Sequence, residues 1–328
     1  MTKLAKYFLI FSLLPGIPAA AQKYTISPIN ADQVLKAETI QANVEYLCSE
    51  ELGGRATGTP GGRETALWLE GNFRVLGLKP MGGAWLHGFN TGSGMARNVV
   101  GLIPGSVTPA RYVVLMAHYD NLGMLNGTFY PGADSNASGV AALLQLAQMV
   151  DRMNTCHKIY RHGLILVALD AKERDQAGAE QLWREIAAGQ LLDPVSGEAV
   201  KPSQIDLVIN MDQLGSTRAP ITEENGRYLI MLSGESPVHR NTLASVNRER
   251  KVGLELGFDY YGSKDFTRLF YSRICDQRVF LEHNIPAVMF TSGITLLNNK
   301  PADNPASLDY EVLRDRIRLI FFYLDRVL

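Results

Sequence analysis

Short apolar runs alternate with helical patterns along most of this chain, and the alternation limits the possible folds more than any other feature. Runs of β-branched and aliphatic residues predict buried strands at Asn98–Leu102, Tyr112–Met116, Gly163–Leu169, Asp206–Met211, Tyr228–Leu232 and Ala287–Phe290. Apolar residues at helical spacing predict helices at Thr65–Leu76, Gly139–Met153, Ala177–Ala188, His239–Arg250 and Tyr310–Val327. Strands that alternate with helices in this way indicate an α/β fold, with helices on both faces of a sheet.

The composition is typical of a globular protein and gives no indication of a highly charged binding partner. Apolar residues make up 46% and charged residues 20% of the 328 residues, which argues against disorder. The formal net charge of -1 gives no indication of nucleic acid or of an anionic membrane as a partner. No linker rich in Pro, Gly or Ser divides the chain, and the polar stretch Leu191–Gln204 is predicted to be a loop insertion. We therefore expect one domain over residues 22–328.

The N-terminus has the pattern of a signal peptide. Two lysines precede an apolar run over Tyr7–Leu14, Pro15-Gly16 interrupts any helix, and Ala19-Ala20-Ala21 supplies the small residues of a cleavage site. The apolar run is too short to span a bilayer. A buried N-terminal helix fits poorly with the Pro-Gly break. Residues 1–21 are thus predicted to be a cleaved signal peptide, and the protein to be periplasmic or secreted. The mature chain keeps an odd number of cysteines, so one disulfide and buried thiols both stay open for Cys48, Cys156 and Cys275.

Polar side chains follow three of the predicted strands. His118 and Asp120 follow the second strand, Lys172 and Glu173 the third, and Asp212 the fourth. Ligands of open α/β sheets bind beyond the carboxyl ends of the strands, where these side chains would meet. His118, Glu173 and Asp212 are side chains that bind zinc, and Asp120 could orient the His118 ring. Each residue alone has an ordinary structural explanation, such as a turn cap.

Longer motifs connect the chain to a known family. From about Ala42 to the C-terminus it resembles the co-catalytic zinc aminopeptidase family, which includes bacterial leucyl aminopeptidases and shares a zinc exopeptidase fold with glutaminyl cyclases. The resemblance is carried by "LCSEELGGRATGTPGGRETALWLEGNFRVLGLKP", "VVLMAHYDNLG", "GADSNASGVAALLQLA", "INMDQLG" and "NIPAVMFTSG", in the order and spacing of that family. It implies a three-layer sandwich, in which helices flank a mixed, mostly parallel twisted sheet.

The resemblance also implies a ligand set. In that family two zinc ions share a bridging carboxylate; one ion also takes a His and an Asp, and the other a Glu and a second His. A further Glu, just before the liganding one, is the base that activates water. Matching the motifs places His118, Asp212 and Glu173 at retained ligand positions. Asp120 matches the residue that orients the first His.

Three positions depart from the family pattern. Ser135 stands where the bridging Asp belongs, Lys172 at the general base, and Asn299 at the second His, with Asp303 retained four residues later. A shift of one residue that lets Asp134 replace Ser135 is the alternative. The flanking glycines match the family without such a shift.

These departures weaken the predicted metal site. A Ser hydroxyl is a weak zinc ligand, whereas catalytic zinc sites usually have three protein ligands. We expect two zinc ions to be excluded and a single zinc ion to bind weakly or not at all. Lysine is a cation at neutral pH, so Lys172 is expected to neutralise Glu173 and Asp212 rather than to act as a base.

The sequence therefore predicts an exported, peptidase-like protein without catalysis or with strongly impaired catalysis. Its cleft at the strand ends would bind a peptide or a protein, and residues 262–278 would line the rim of the cleft or pack in the core. The alternative is an active zinc-dependent aminopeptidase that releases N-terminal residues with an altered metal site.

Overall fold

A computed structural model describes residues 33–92, 94–222 and 224–328. The predicted signal peptide, residues 1–21, lies outside these residues, as does the predicted start of the mature chain. Within the described ranges, no helix is both long and apolar enough to cross a membrane.

In the described part of the chain, nine strands form one sheet and two short strands form a separate hairpin. The sheet strands are β1 (Lys79–Pro80), β2 (Leu86–Asn90), β3 (Met95–Ile103), β4 (Tyr112–His118), β7 (Gly163–Leu169), β8 (Ile205–Met211), β9 (Tyr228–Ser233), β10 (Glu255–Gly257) and β11 (Ala287–Thr291); the hairpin strands are β5 (Gly123–Leu125) and β6 (Thr128–Tyr130). The sheet order is β1-β3-β7-β4-β8-β11-β9-β10, and β2 pairs with β3.

The centre of the sheet is parallel and its flanks are mixed. β7, β4, β8 and β11 run parallel to one another, whereas β3 is antiparallel to β7 and β9 is antiparallel to β11. The register sets His118 opposite Leu169 and Met116 opposite Asn210. The carboxyl ends of β4, β7 and β8 therefore meet at one edge, where the polar residues follow. This arrangement confirms the mixed α/β sheet.

Helices cover both faces of the sheet. They are α1 (Ala37–Leu47), α2 (Pro60–Val75), α3 (Gly139–Thr155), α4 (Ala177–Ala187), α5 (Val238–Glu249), α6 (Lys264–Leu269), α7 (Gln277–Glu282) and α8 (Tyr310–Val327). Side chains of β4 alternate between the two faces: Val113 and Leu115 join the core under α1, α2, α3, α5 and α8, while Val114 and Met116 join the core under α4 and α7. The period of two in a strand thus builds two cores, one on each face.

The buried side chain of Arg55 connects the loops around the site through hydrogen bonds. Arg55 has no exposed surface, and its guanidinium donates hydrogen bonds of 2.5–2.9 Å to the backbone carbonyls of Leu47, Tyr119, Pro131 and Gly132. The rigid fork of arginine suits several acceptors at once. Arg55 therefore ties the end of α1 to the loop after β4 and to the segment before α3.

Candidate functional site

His118 stands at the inner end of the site, because it is the last residue of β4 and is fully buried. Its Nδ1 lies 3.1 Å from the backbone oxygen of Asp120 and 3.6 Å from the Asp120 carboxylate. Its Nε2 lies 3.5 Å from Asp212 Oδ1 and has no hydrogen-bond partner among the described residues. The ring is thus held between two carboxylates that come from different strand ends.

Asp120 orients the loop after β7 as well as the imidazole. Its carboxylate accepts hydrogen bonds from the backbone N–H groups of Lys172 (3.0 Å) and Glu173 (3.2 Å). Burial alone would raise the pKa of Asp120, but the contacts with His118 and these two N–H groups lower it. An ionised Asp120 therefore places Lys172 and Glu173 beside His118.

The Lys172 ammonium lies between two carboxylates. Its Nζ is 3.5 Å from Asp212 Oδ2 and 3.6 Å from Glu173 Oε1, and the side chain is only 18% exposed. Burial would lower the pKa of Lys172, but the charge of Asp212, with help from Glu173, raises it above its ordinary value. Lys172 is therefore a cation at neutral pH and cannot accept a proton from water.

The charges in the site alternate in sign. Burial opposes ionisation of Asp212, yet Lys172 and His118 hold the pKa of that carboxyl well below its usual range. Burial and the Lys172 charge lower the pKa of His118, but its contacts with Asp120 and Asp212 outweigh them and raise that pKa to about 10. The Asp212 carboxylate is thus already balanced by two cations.

The segment before α3 presents Ser135 to the site. Asp303 accepts hydrogen bonds from the backbone N–H groups of Asp134 (2.8 Å) and Ser135 (3.1 Å). The Asp134 carboxylate accepts one from the Gly215 N–H (2.6 Å). This bond connects Asp134 to the loop after β8, whereas Ser135 lines the neighbouring cavity.

A cavity of about 200 Å³ opens beside these residues. Its polar wall includes Ser135, Lys172, Asp212 and Asn299, so all three positions that depart from the family pattern meet in one place. The rest of the wall is mainly apolar and comes from the segment after β10 and from β11 and the loop after it: Tyr260, Phe270, Ile274, Cys275, Met289 and Ile294. Residues 262–278 thus contribute to the wall of the cavity. A position at the cleft was one of the two roles predicted for them.

Asp276 is a residue of the site that the sequence pattern did not reveal. This residue is fully buried, and neither carboxyl oxygen has a hydrogen-bond partner in the described ranges. Burial raises the pKa of Asp276 to about 7, although the charges of His118 and Lys172 act against the increase. A single Asp after an aromatic segment carries no periodic signal, so only the folded arrangement reveals it. The neighbouring Cys275 is a buried thiol, as is Cys48.

The residues as arranged do not fit a pair of zinc ions. Among the described residues, no group of three or more His, Cys, Asp or Glu side chains could hold a metal ion. A carboxylate oxygen binds zinc at about 2.0–2.2 Å, so a zinc ion held by Asp212 or Glu173 would lie directly against that carboxylate. The Lys172 ammonium already lies between Asp212 and Glu173, and it would repel a divalent ion placed there.

The chain is similar to a known peptidase family and to individual proteins from several organisms. Residues 98–324 match the model of peptidase family M28. The chain is 25% identical over 217 residues to the uncharacterized protein YfbL of Escherichia coli, and 23% identical over 239 residues to nicalin of Caenorhabditis elegans. A match of 30% over 105 residues links it to the BOS complex subunit ncln of Danio rerio. These matches cover 61%, 68% and 32% of this chain and 62%, 40% and 17% of the relatives, so the chain spans less than two thirds of each relative.

Solved structures show the same fold at low sequence identity. The Legionella pneumophila LapA aminopeptidase has a TM-score of 0.70 at 15% identity, with 93% of this chain and 75% of that chain covered. The zinc aminopeptidase BSAP of Bacillus subtilis has a TM-score of 0.66 at 13% identity, covering 89% and 95%. The glutaminyl cyclase of Porphyromonas gingivalis has a TM-score of 0.65 at 17% identity, covering 90% and 99%.

Proposed function

We propose that this chain, which belongs to peptidase family M28, is a non-catalytic or strongly impaired member that binds a peptide or a protein segment in its cavity. One observation carries the proposal. The Lys172 ammonium lies 3.5 Å from Asp212 and 3.6 Å from Glu173. A cation that belongs to the chain therefore occupies the space between two carboxylates that the family resemblance assigns to metal ions.

The residue at the general-base position supports the same conclusion. Peptide hydrolysis needs a group that takes a proton from the attacking water, and a positioned group of this kind contributes about 10²–10⁴-fold to the rate. Lys172 holds its proton because Asp212 and Glu173 raise its pKa. Ser135 and Asn299 offer only a hydroxyl and an amide at the two other altered positions, so these two side chains supply neither the bridging carboxylate nor the second imidazole.

We expect no measurable release of p-nitroaniline from Leu-, Ala- or Lys-p-nitroanilide, even with excess zinc. The absent base and the absent bridging carboxylate each lower the rate, and their effects need not combine additively. The assay compares the wild type with His118→Ala and Asp212→Ala. Robust turnover that both substitutions abolish would establish an enzyme and end the non-catalytic proposal.

The second candidate is a zinc-dependent aminopeptidase that releases N-terminal residues with an altered site. His118 Nε2 favours it, because this atom faces Asp212 without a hydrogen-bond partner among the described residues. The structural similarity to a zinc aminopeptidase points the same way. The p-nitroanilide assay separates the two candidates.

We also propose export to the periplasm or the medium after cleavage of residues 1–21, for which the N-terminal sequence pattern is the support. The mass of the protein recovered from its native host checks this, since a mature chain beginning at Gln22 is expected. An intact N-terminus would contradict it.

A further inference from the structure

We infer that the cavity recognises the C-terminal carboxylate of a peptide that ends in an apolar residue. The inference rests on the proposed binding function and adds the chemistry of the ligand. It follows from the donors in the polar wall, from the acceptors that are already engaged, and from the size of the apolar part.

Three side chains that can donate hydrogen bonds line the cavity from three separate segments. Ser135 precedes α3, Lys172 follows β7 and Asn299 follows β11, and all three line the same wall. The Lys172 Nζ lies 3.5 and 3.6 Å from its two carboxylate partners. Charge-assisted hydrogen bonds from ammonium to carboxylate are shorter, about 2.7–2.9 Å. The ammonium therefore has N–H capacity left for a closer anionic acceptor.

Three acceptors of the same wall, Asp212, Gln213 and Asn298, are engaged within the protein. Asp212 faces both Lys172 and His118. The amides of Gln213 and Asn298 bind each other: Asn298 Nδ2 donates to Gln213 Oε1 at 2.6 Å, and Gln213 Nε2 donates to Asn298 Oδ1 at 3.0 Å. A ligand ammonium would have to compete with Lys172 for Asp212 and would meet a like charge. The wall thus favours a carboxylate over an amine.

The apolar part accepts one side chain rather than a long segment. The cavity volume of about 200 Å³ is below the range of about 300–1,000 Å³ that is usual for drug-sized ligands. Phe270, Ile274 and Ile294 lie along its wall. A chain end can place both a charged group and one apolar side chain there, whereas a free amino acid would also bring an ammonium close to Lys172. The C-terminus of a peptide satisfies both parts of the wall.

Calorimetric titration of the purified full chain tests the inference with three peptides. They are acetyl-Ala-Ala-Leu as the free acid, the same peptide as its C-terminal amide, and Leu-Ala-Ala-amide with a free N-terminus. We expect the free acid to bind about tenfold or more tightly than either of the others, which is the effect of one hydrogen bond to a charged group. Ser135→Ala should weaken binding of the acid alone by about threefold, since it removes a neutral donor.

Variants of Lys172 identify the charged donor. Lys172→Met should abolish the preference for the acid, whereas Lys79→Met, which changes an exposed lysine of β1 outside this cavity, should keep it. Equal binding of acid and amide, or tighter binding of Leu-Ala-Ala-amide, would overturn the carboxylate inference and leave the binding function standing. Absence of binding for all three peptides would contradict both. If Lys172→Met does not fold, the acid-to-amide ratio of the wild type and the Ser135→Ala result decide.

Discussion

Replacing Lys172 with methionine lowers the melting temperature in metal-free buffer, and added zinc recovers part of the loss. The substitution removes the cation between Asp212 and Glu173, so Asp212 keeps only His118 as a cationic neighbour and Glu173 loses its ammonium partner. Removing one partner of a buried ion pair costs about 3–5 kcal/mol, whereas exposed pairs contribute less than about 1 kcal/mol. The side chain is 18% exposed and its contacts are long, so we expect about 2 kcal/mol. That corresponds to about 3 °C for a chain of this size.

The loss of stability in Lys172→Met depends on pH, and the pKa shifts of Asp212 and Lys172 determine the direction of this dependence. The pKa of Asp212 is lowered in the folded protein, so its contribution is present above an unfolded carboxyl pKa of about 4 and is lost as the pH falls. The pKa of Lys172 is raised, so its contribution is complete below about pH 10. The difference in melting temperature between the wild type and Lys172→Met should therefore be largest near pH 7 and should decrease below pH 4.

Thermal melting of both proteins, each in EDTA and in zinc, measures the effect, and Lys79→Met serves as the matched control for loss of an exposed lysine. If Lys172→Met melts no lower than the wild type in EDTA, Lys172 is only a solvated loop charge. The idea that an ammonium replaces metal charge would then be wrong.

Restoring the three altered positions together creates a zinc-dependent stabilisation. Ser135→Asp, Lys172→Glu and Asn299→His would return two carboxylates and an imidazole to one cavity wall. Zinc at 100 times its dissociation constant would then stabilise the folded state by about 2.7 kcal/mol. Lys172→Glu alone should instead destabilise the metal-free protein more than Lys172→Met does, because it adds a like charge beside Asp212.

The control for this experiment is the double variant that keeps Ser135. It lacks the bridging carboxylate and should show a much smaller zinc effect in the same melting assay. A triple variant whose melting temperature is the same in EDTA and in zinc would show that the three positions do not form a degenerate metal site.

The fold was largely predictable because its strands are buried on both faces and its longer helices are amphipathic. The six predicted strands are all present, and β7 begins and ends at the predicted residues, Gly163 and Leu169. The edge strands β2 and β10 were missed because their side chains are only partly buried and give no continuous apolar run. α1 was missed although its buried residues Ile40, Val44 and Leu47 stand at helical spacing. The boundaries of the domain, residues 22–328, stay a prediction.

The site was predictable where residues directly follow strands. His118 and Asp212 lie at neighbouring strand ends, and the parallel register brings them within 3.5 Å. The contacts of Arg55 and the buried Asp276 depend on the paths of loops, which no local pattern specifies. The position of the Lys172 ammonium also depends on Asp120, which binds the backbone of the loop after β7. Side-chain identity alone could not distinguish that arrangement from a solvated charge.

The zinc content of the wild-type protein tests most directly whether Lys172 has taken the place of metal. The protein is purified without added metal, dialysed and examined by elemental analysis beside the triple variant. We expect well under one equivalent of zinc per wild-type chain and a higher content in the triple variant. Two equivalents in the wild type that survive dialysis would contradict the account.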